Sequence, residues 1–280
     1  MTVNTPKTIV ITGASDGIGA AAARRLRQSD HNVVVVGRSP TKTAAVAAEL
    51  GADHFVADFA ELAQARDLAA TLRARYPRID VLLNNAGGMS SAIHVTPDGH
   101  EHTYQVNYLS PFLLTSQLMD VLVESRATIV STTSSSHRLV FRATVDDLEN
   151  TVRRRPSAAY ALSKVAIMLF TKELHRRYHA DGISVATVHP GYVSSNFGHA
   201  SGSRLLALSQ KYTPSERFTS TCEEGAEPLV WLASGTPGVD WTPGEYYSRR
   251  KRAKASRLVG NPHLARELWD RTTQKLASLV

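Results

Sequence analysis

Cysteine is nearly absent from this 280-residue chain: Cys222 stands alone, so no disulfide can close within it. A single thiol suits a reducing compartment. Long apolar runs are missing too. Charged or polar residues interrupt each one before the ~20 positions that a membrane-spanning helix needs, so no span is expected. Met1 to Thr12 lacks the basic start, apolar run and small-residue cleavage site of a secretory leader, and a cytoplasmic location is expected. Glycine (17) and proline (12) stand at ordinary levels, which excludes fibrous and low-complexity readings. Neither a fixed-period repeat nor a linker-like stretch divides the chain, so a single domain over residues 1–280 is expected.

Acidic residues are outnumbered, 25 against 32 Lys and Arg, for a net charge of +7. That balance favours anionic ligands in general without choosing among them. The densest basic cluster, Arg249, Arg250, Lys251, Arg252 and Lys254, has no aromatic residues interleaved with it and reads as a solvated face. A small-molecule partner is expected, with no nucleic acid and no membrane.

What is present is alternation. Short β-branched runs at Thr8 to Thr12, Asn32 to Val36, His54 to Ala57, Asp80 to Asn84, Ala127 to Thr132 and Ile183 to His189 alternate with stretches at helical spacing. Those stretches are Ile18 to Gln28, Thr41 to Leu50, Leu62 to Tyr76, a long region from Gly99 to Glu124, and Ala158 to His179. Near-continuous apolar strands between helices predict a doubly wound parallel sheet, a Rossmann-like α/β fold with helices on both faces. A seventh strand at Glu245 to Tyr247 brings the expected count to about seven, and Asn261 to Leu279 reads as a capped packing helix. Two irregular regions, near 137–156 and 192–221, follow strands at their carboxyl ends, where such sheets bind ligands, and are candidate substrate walls.

Gly13, Gly17 and Gly19 lie between the first strand and the first helix in the pattern G-x-x-x-G-x-G, with Ser15 and Ile18 among them. Glycines there let the chain turn sharply and let its backbone approach a pyrophosphate at a helix N-terminus. The same residues also spell G-x-S-x-G, the nucleophile elbow of α/β-hydrolases. An elbow needs strands upstream to supply its oxyanion loop, and Ser15 follows the first strand of the chain. The second strand runs into Gly37 and Arg38, where an acid would favour NAD and a cation grips a 2′-phosphate, so the expected cofactor is NADP (NADPH). Asp16 opposes this preference by its charge.

Tyr160 and Lys164 are four apart in a helical stretch, hence on one face. They are accompanied by Asn84-Asn85-Ala86-Gly87 closing the fourth strand, Asn107 in the next helix, Ser134 after the fifth strand and His189-Pro190-Gly191 closing the sixth. This set resembles the short-chain dehydrogenase/reductase family from Thr8 to about Tyr247. The resemblance implies that Gly13, Gly17 and Gly19 form the coenzyme turn, that Asp58 is the adenine-side acid, and that Asn85, Ala86 and Gly87 line the cofactor. It implies a catalytic tetrad of Asn107, Ser134, Tyr160 and Lys164, with Pro190, Gly191, Val193 and Ser195 beside the nicotinamide. Ser136 is the fallback for Ser134. The 26-residue interval from Ser134 to Tyr160, the run Ser134-Ser135-Ser136-His137, the segment Gly244 to Tyr247 and the Trp269 helix are similar to the retinol dehydrogenase-like branch.

The activity so implied is NADP-dependent reduction of a ketone or aldehyde, or oxidation of the matching secondary alcohol. Tyr160 would be acid/base, Ser134 the hydrogen bond to the substrate oxygen, and Asn107 the holder of a proton-relaying water. A bulky lipophilic or polyketide-type carbonyl is the expected substrate and a homo-oligomer the expected assembly. The alternative is a catalytically silent NADP-binding regulator on the same fold. His94, His100 and His102 lack a completing Cys or carboxylate set, so no metal is expected. Cys222, beside two acids, reads as an inert thiol, and Trp231 as core. Tyr192 and Phe197 either shape an apolar pocket or pack their loop.

Overall fold

The computed structural model describes residues 6–191 and 220–279. Eight strands form one sheet in the order β3-β2-β1-β4-β5-β6-β7-β8. Their ranges are β1 Thr8–Thr12, β2 Asn32–Gly37, β3 Asp53–Val56, β4 Val81–Asn84, β5 Thr128–Thr132, β6 Ser184–His189, β7 Glu245–Ser248 and β8 Lys251–Arg252. All pairs from β3 to β7 are parallel. The predicted doubly wound sheet is therefore present, with one strand more than expected. Strand β8 folds back antiparallel on β7 across a turn in which Arg249 and Arg250 both take positive φ. Part of the basic cluster assigned to a solvated face is thus a strand edge.

The central strands β1, β2, β4, β5 and β6 bury both faces, which is why they read as largely apolar runs. Val10, Val34, Val36, Leu82, Ile129 and Val185 point to one core; the alternate residues Ile9, Ile11, Val33, Val35, Val81, Leu83, Val130 and Ala186 point to the other. Helices α1 (Gly17–Gln28) and α2 (Pro40–Leu50) cover the second face, and α3 (Leu62–Arg75) covers the first.

The long region from Gly99 to Glu124 is not one helix. It runs as α4 (His102–Tyr104), a π-helical turn at Gln105–Leu109, α5 (Ser110–Gln117) and α6 (Met119–Glu124). The loop after β5, expected to be irregular, contains two 3-10 turns, Ser135–Leu139 and Thr151–Arg153, and α7 (Val145–Glu149) with its Thr144/Asp147 capping box. Helix α8 (Pro156–Tyr178) follows. Helix α9 (Cys222–Ser234), absent from the expectations, is started by a Thr221/Glu224 capping box, a T-x-x-E signal that the sequence carries openly. Trp231 in α9 is half-buried rather than core, with the Arg250 guanidinium 5.5 Å over its ring.

Helix α10 (Pro262–Leu276) begins at Asn261, whose side chain accepts from the His263 and Leu264 amides. It lays Trp269 against Phe170 of α8, stacked at 5.6 Å, and against Phe112 of α5 at 5.0 Å. No helix among the described residues is long and apolar enough to cross a membrane. The strand order reverses between β1 and β4, so their carboxyl ends border the crevice where such sheets bind ligands.

Candidate active site

The turn after β1 is a cradle that side chains would fill. Gly13 has φ +68°, and a Cβ there would lie 2.7 Å from the Ala86 Cα; a Cβ on Gly19 would lie 2.2 Å from the Gly13 carbonyl oxygen. Only glycine lets the turn, the β4 end and the start of α1 approach so closely. Asp16 caps α1 by accepting from the Gly17 amide. Ile18 packs its side chain into the apolar cluster under the helix. Buried Thr12, overlooked in the sequence, ties this turn to β4. Its hydroxyl donates to the Leu83 carbonyl and accepts from the Asn85 and Ala86 amides, each at 3.0 Å. The Asn85 side-chain amide donates to the Thr12 carbonyl, and its oxygen accepts from Thr132 of β5.

At the other lip of the cradle, Ser15 packs against Gly37 at the end of β2. Arg38 is exposed and forms no ion pair among the described residues. Asp16 is held by the Lys42 ammonium at 2.7 Å, a partner that sequence reasoning missed. Asp58 follows β3 and accepts from the Ala60 amide; its charge and that of Arg38 both act on His102. The two therefore share one corner of the sheet edge.

Across the crevice, Tyr160 and Lys164 share one helix face as their spacing predicts, and Ser134, which the resemblance joins to them, lies beside Tyr160. The Tyr160 phenol hydrogen-bonds Ser134; burial pushes its pKa up to about 12, and the Ser134 bond works against that rise. Lys164 is 4% exposed, and desolvation lowers its pKa to about 8. Its Nζ donates to the Thr132 carbonyl at 3.1 Å and has no carboxylate partner among the described residues. Burying an unneutralised ammonium is costly, and such arrangements concentrate where chemistry is done.

Asn107 sits in the π-helical turn, and its side chain is fully engaged. Its Oδ1 accepts from the Gly88 amide at 2.9 Å, and its Nδ2 donates to the Gly88 carbonyl and to Ser163 Oγ. Ser163 in turn donates to the Tyr160 carbonyl at 2.8 Å. The side chain is thus a clasp between the β4 loop, which includes Gly87, and the Tyr160 turn. Pro190 and Gly191 close β6 half-buried, Gly191 with φ +99°. Val193, Ser195, Tyr192 and Phe197 lie outside the described residues.

Several other expectations fall elsewhere. The His94 and His102 rings meet edge-on at 6.3 Å, and among the described residues no group of three or more His, Cys, Asp or Glu could hold a metal ion. Burial, Glu223 and Asp16 raise the Cys222 thiol pKa, which disfavours a thiolate. Besides Thr12, Lys42 and Ser163, the bonding role of the nearby His137 was also not foreseen, although the residue closes the run Ser134-Ser135-Ser136-His137.

A family profile described as short chain dehydrogenase matches residues 7–205. A proposed daunorubicin C-13 ketoreductase of Streptomyces sp. (strain C5) is 38% identical, over 96% of this chain and 96% of that one. Human retinol dehydrogenase 13 is 33% identical, over 94% of this chain and 82% of its own. Among solved structures, a proposed NAD(P)-dependent gluconate 5-dehydrogenase from Beutenbergia cavernae, with NADP bound at low occupancy, superposes with a TM-score of 0.70 at 27% identity, covering 87% of this chain and 94% of that one. The chain belongs to the short-chain dehydrogenase/reductase family, in its retinol dehydrogenase-like branch, and is an oxidoreductase.

Proposed function

We propose that this protein is an NADP-dependent carbonyl reductase, with Tyr160 as acid/base, acting on a bulky lipophilic ketone or aldehyde of polyketide type. The observation that carries the reading is the phenol of Tyr160 hydrogen-bonded to Ser134 with a buried ammonium, without a carboxylate partner among the described residues, one helical turn away. One continuous sheet built from residues 8–252 supports a single catalytic domain.

A nicotinamide dinucleotide fits the residues present. The glycine cradle has no room for side chains, and the α1 N-terminus, capped by Asp16, faces it with the positive end of its dipole. Gly13, Ser15, Gly17, Ile18 and Gly19 would hold the pyrophosphate, Arg38 the 2′-phosphate, Asp58 the adenine, and Asn85, Ala86 and Gly87 the ribose side. Pro190 and Gly191 would border the nicotinamide, with Val193 and Ser195 beyond them. The preference for a phosphorylated coenzyme is supported by the exposed Arg38 guanidinium, which has no ion-pair partner among the described residues, and Lys42 offsets the repulsion that Asp16 would otherwise exert. When bound, the coenzyme supplies the hydride.

The chain's own residues manage the proton and the oxygen. Ser134 donates a hydrogen bond to the carbonyl oxygen, holding it against the phenol as charge builds there. Tyr160 gives its proton to that oxygen in reduction and takes it back in oxidation. Lys164, one turn below, favours the phenolate that either direction passes through, offsetting the burial that raises the phenol. The Asn107 and Ser163 clasp keeps the Tyr160 turn in register with the β4 loop.

An apolar substrate is supported by Leu139 and Phe141, which stand 72% and 84% exposed on the loop after Ser134. The ketoreductase and retinol dehydrogenase names of the relatives point the same way. Purified protein would be given polycyclic ketones, retinal and small aldehydes with NADPH or NADH, and loss of reduced-nicotinamide absorbance followed. Turnover of a bulky carbonyl with NADPH is expected. Tight NADPH binding without turnover of any carbonyl would instead identify a silent regulator.

A further inference from the structure

His137 is fully buried three residues after Ser134. Ser134 itself is extended and caps the 3-10 turn that contains His137, its Oγ accepting from the Ser136 amide. The Ser134 carbonyl oxygen receives two bonds from His137, one from the backbone amide at 3.3 Å and one from ring Nδ1 at 2.6 Å. A carbonyl oxygen can only accept, so Nδ1 carries the hydrogen. Burial, with Arg138 beside it, lowers the imidazole below its usual pKa against the raising effect of its bond to the Ser134 carbonyl, and His189 lies close by. In that tautomer Nε2 is a bare lone pair, and this atom is buried with no partner among the described residues. The ring edge rests on Tyr246 of β7 at 5.1 Å.

Packing alone does not call for this residue. A phenylalanine would fill the same space against Tyr246 without stranding a buried nitrogen, so the imidazole is explained by the one bond it makes. We propose that His137 is a positioning residue, whose ring N–H clamps the Ser134 carbonyl and so aims the Ser134 hydroxyl at Tyr160 and at the substrate oxygen. The clamp fixes the backbone from which the Ser134 Cβ projects. This inference rests on the reading of Ser134 as the hydroxyl that holds the substrate.

The test compares His137→Phe, which keeps a ring and loses the donor, with His137→Asn, whose amide restores an N–H near the same place, and with Ser134→Ala. Each variant is read for kcat and KM of a carbonyl substrate, for the pH dependence of kcat, for NADPH dissociation by fluorescence, and for melting without coenzyme. His137→Phe is expected to lower kcat by about tenfold or more, with NADPH affinity held within about twofold, on the scale of a misplaced catalytic hydrogen bond. The alkaline limb of its kcat profile should move upward, since the Ser134 bond holds the Tyr160 phenol down. His137→Asn should recover kcat to within about threefold of the parent.

Equal losses in the Phe and Asn variants, or an unshifted pH profile in the Phe variant, would overturn the clamp and leave His137 a packing residue. Should the Phe variant fail to fold, His137→Leu against His137→Asn carries the same comparison, and equal kcat in those two would overturn it. A Ser134→Ala variant with parental kcat would sink the reading of Ser134 itself, a failure separate from that of the clamp.

Discussion

The ammonium of Lys164 lies 5.5 Å from the centroid of the Tyr160 ring and donates to the carbonyl of Thr132. A cation and a phenol are thereby held on one helix face by a strand end, in an interior that opposes the ionisation of both. Without coenzyme, burial keeps the phenol protonated and weakens the ammonium, so the pair is costly to fold and is explained by use.

Removing the phenol oxygen should remove the chemistry and little else. Tyr160→Phe is expected to lower kcat by about a thousandfold, within the range of general acid catalysis, while NADPH affinity stays within a few-fold. In the parent protein, carbonyl reduction should fall as the phenol ionises at alkaline pH, and alcohol oxidation should rise over the same interval. Steady-state kinetics in both directions check this; substantial residual turnover would remove Tyr160 from its role.

The Lys164 ammonium should weigh on stability. Its pKa is about 8 folded against 10.5 as a free side chain, so between these values the unfolded chain binds more protons and stability rises with pH. At neutral pH the penalty is about 3 kcal/mol. Lys164→Met should therefore melt higher than the parent near pH 7, with the difference shrinking as pH climbs through that window, and should be inactive. Parallel melting curves across the window would show that the ammonium is not desolvated.

Arg38→Ala should weaken NADPH about tenfold or more, the cost of a charge-assisted hydrogen bond, and leave NADH nearly unchanged. Lys42→Ala should weaken NADPH by a smaller factor, because it releases the charge of Asp16. Dissociation constants for both coenzymes decide it: parallel losses for NADPH and NADH would mean that neither cation reads the 2′-phosphate.

Trp269→Ala should cost about 3–5 kcal/mol in denaturant unfolding, as for large aromatic truncations in a core. The indole lies between Phe112, Phe170 and Tyr178 with the Arg177 guanidinium 4.9 Å above it, so the helices flanking the site would lose their common packing partner. A loss below about 1 kcal/mol would mean that α10 is an appendage.

The sheet was legible in the sequence because burial on both faces leaves uninterrupted Val, Ile and Leu runs, and the cradle because glycine has no substitute at Gly13 or Gly19. Tyr160 and Lys164 were legible because a helix converts a spacing of four into a shared face. Less visible were features made by tertiary contact. The π-helical turn at Asn107 has no compositional signature, and Thr12, Ser163 and His137 act through bonds between segments distant in sequence or made by one ring nitrogen. Lys42 answers Asp16 across 26 residues. Helix α9 was overlooked although its capping box stands in plain view at Thr221 and Glu224.

Strand β8 is a two-residue ribbon of Lys251 and Arg252 folded back on β7, so the outermost amides of that flank meet a charged strip too short to recruit a foreign chain. The opposite flank, β3, is four residues long and carries Asp53 bound to Arg75. Both edges of the sheet are therefore short and charge-bearing. Among the described residues, neither sheet edge offers the long apolar strand that zippering between sheets, the usual hazard of an open β-layer, would need.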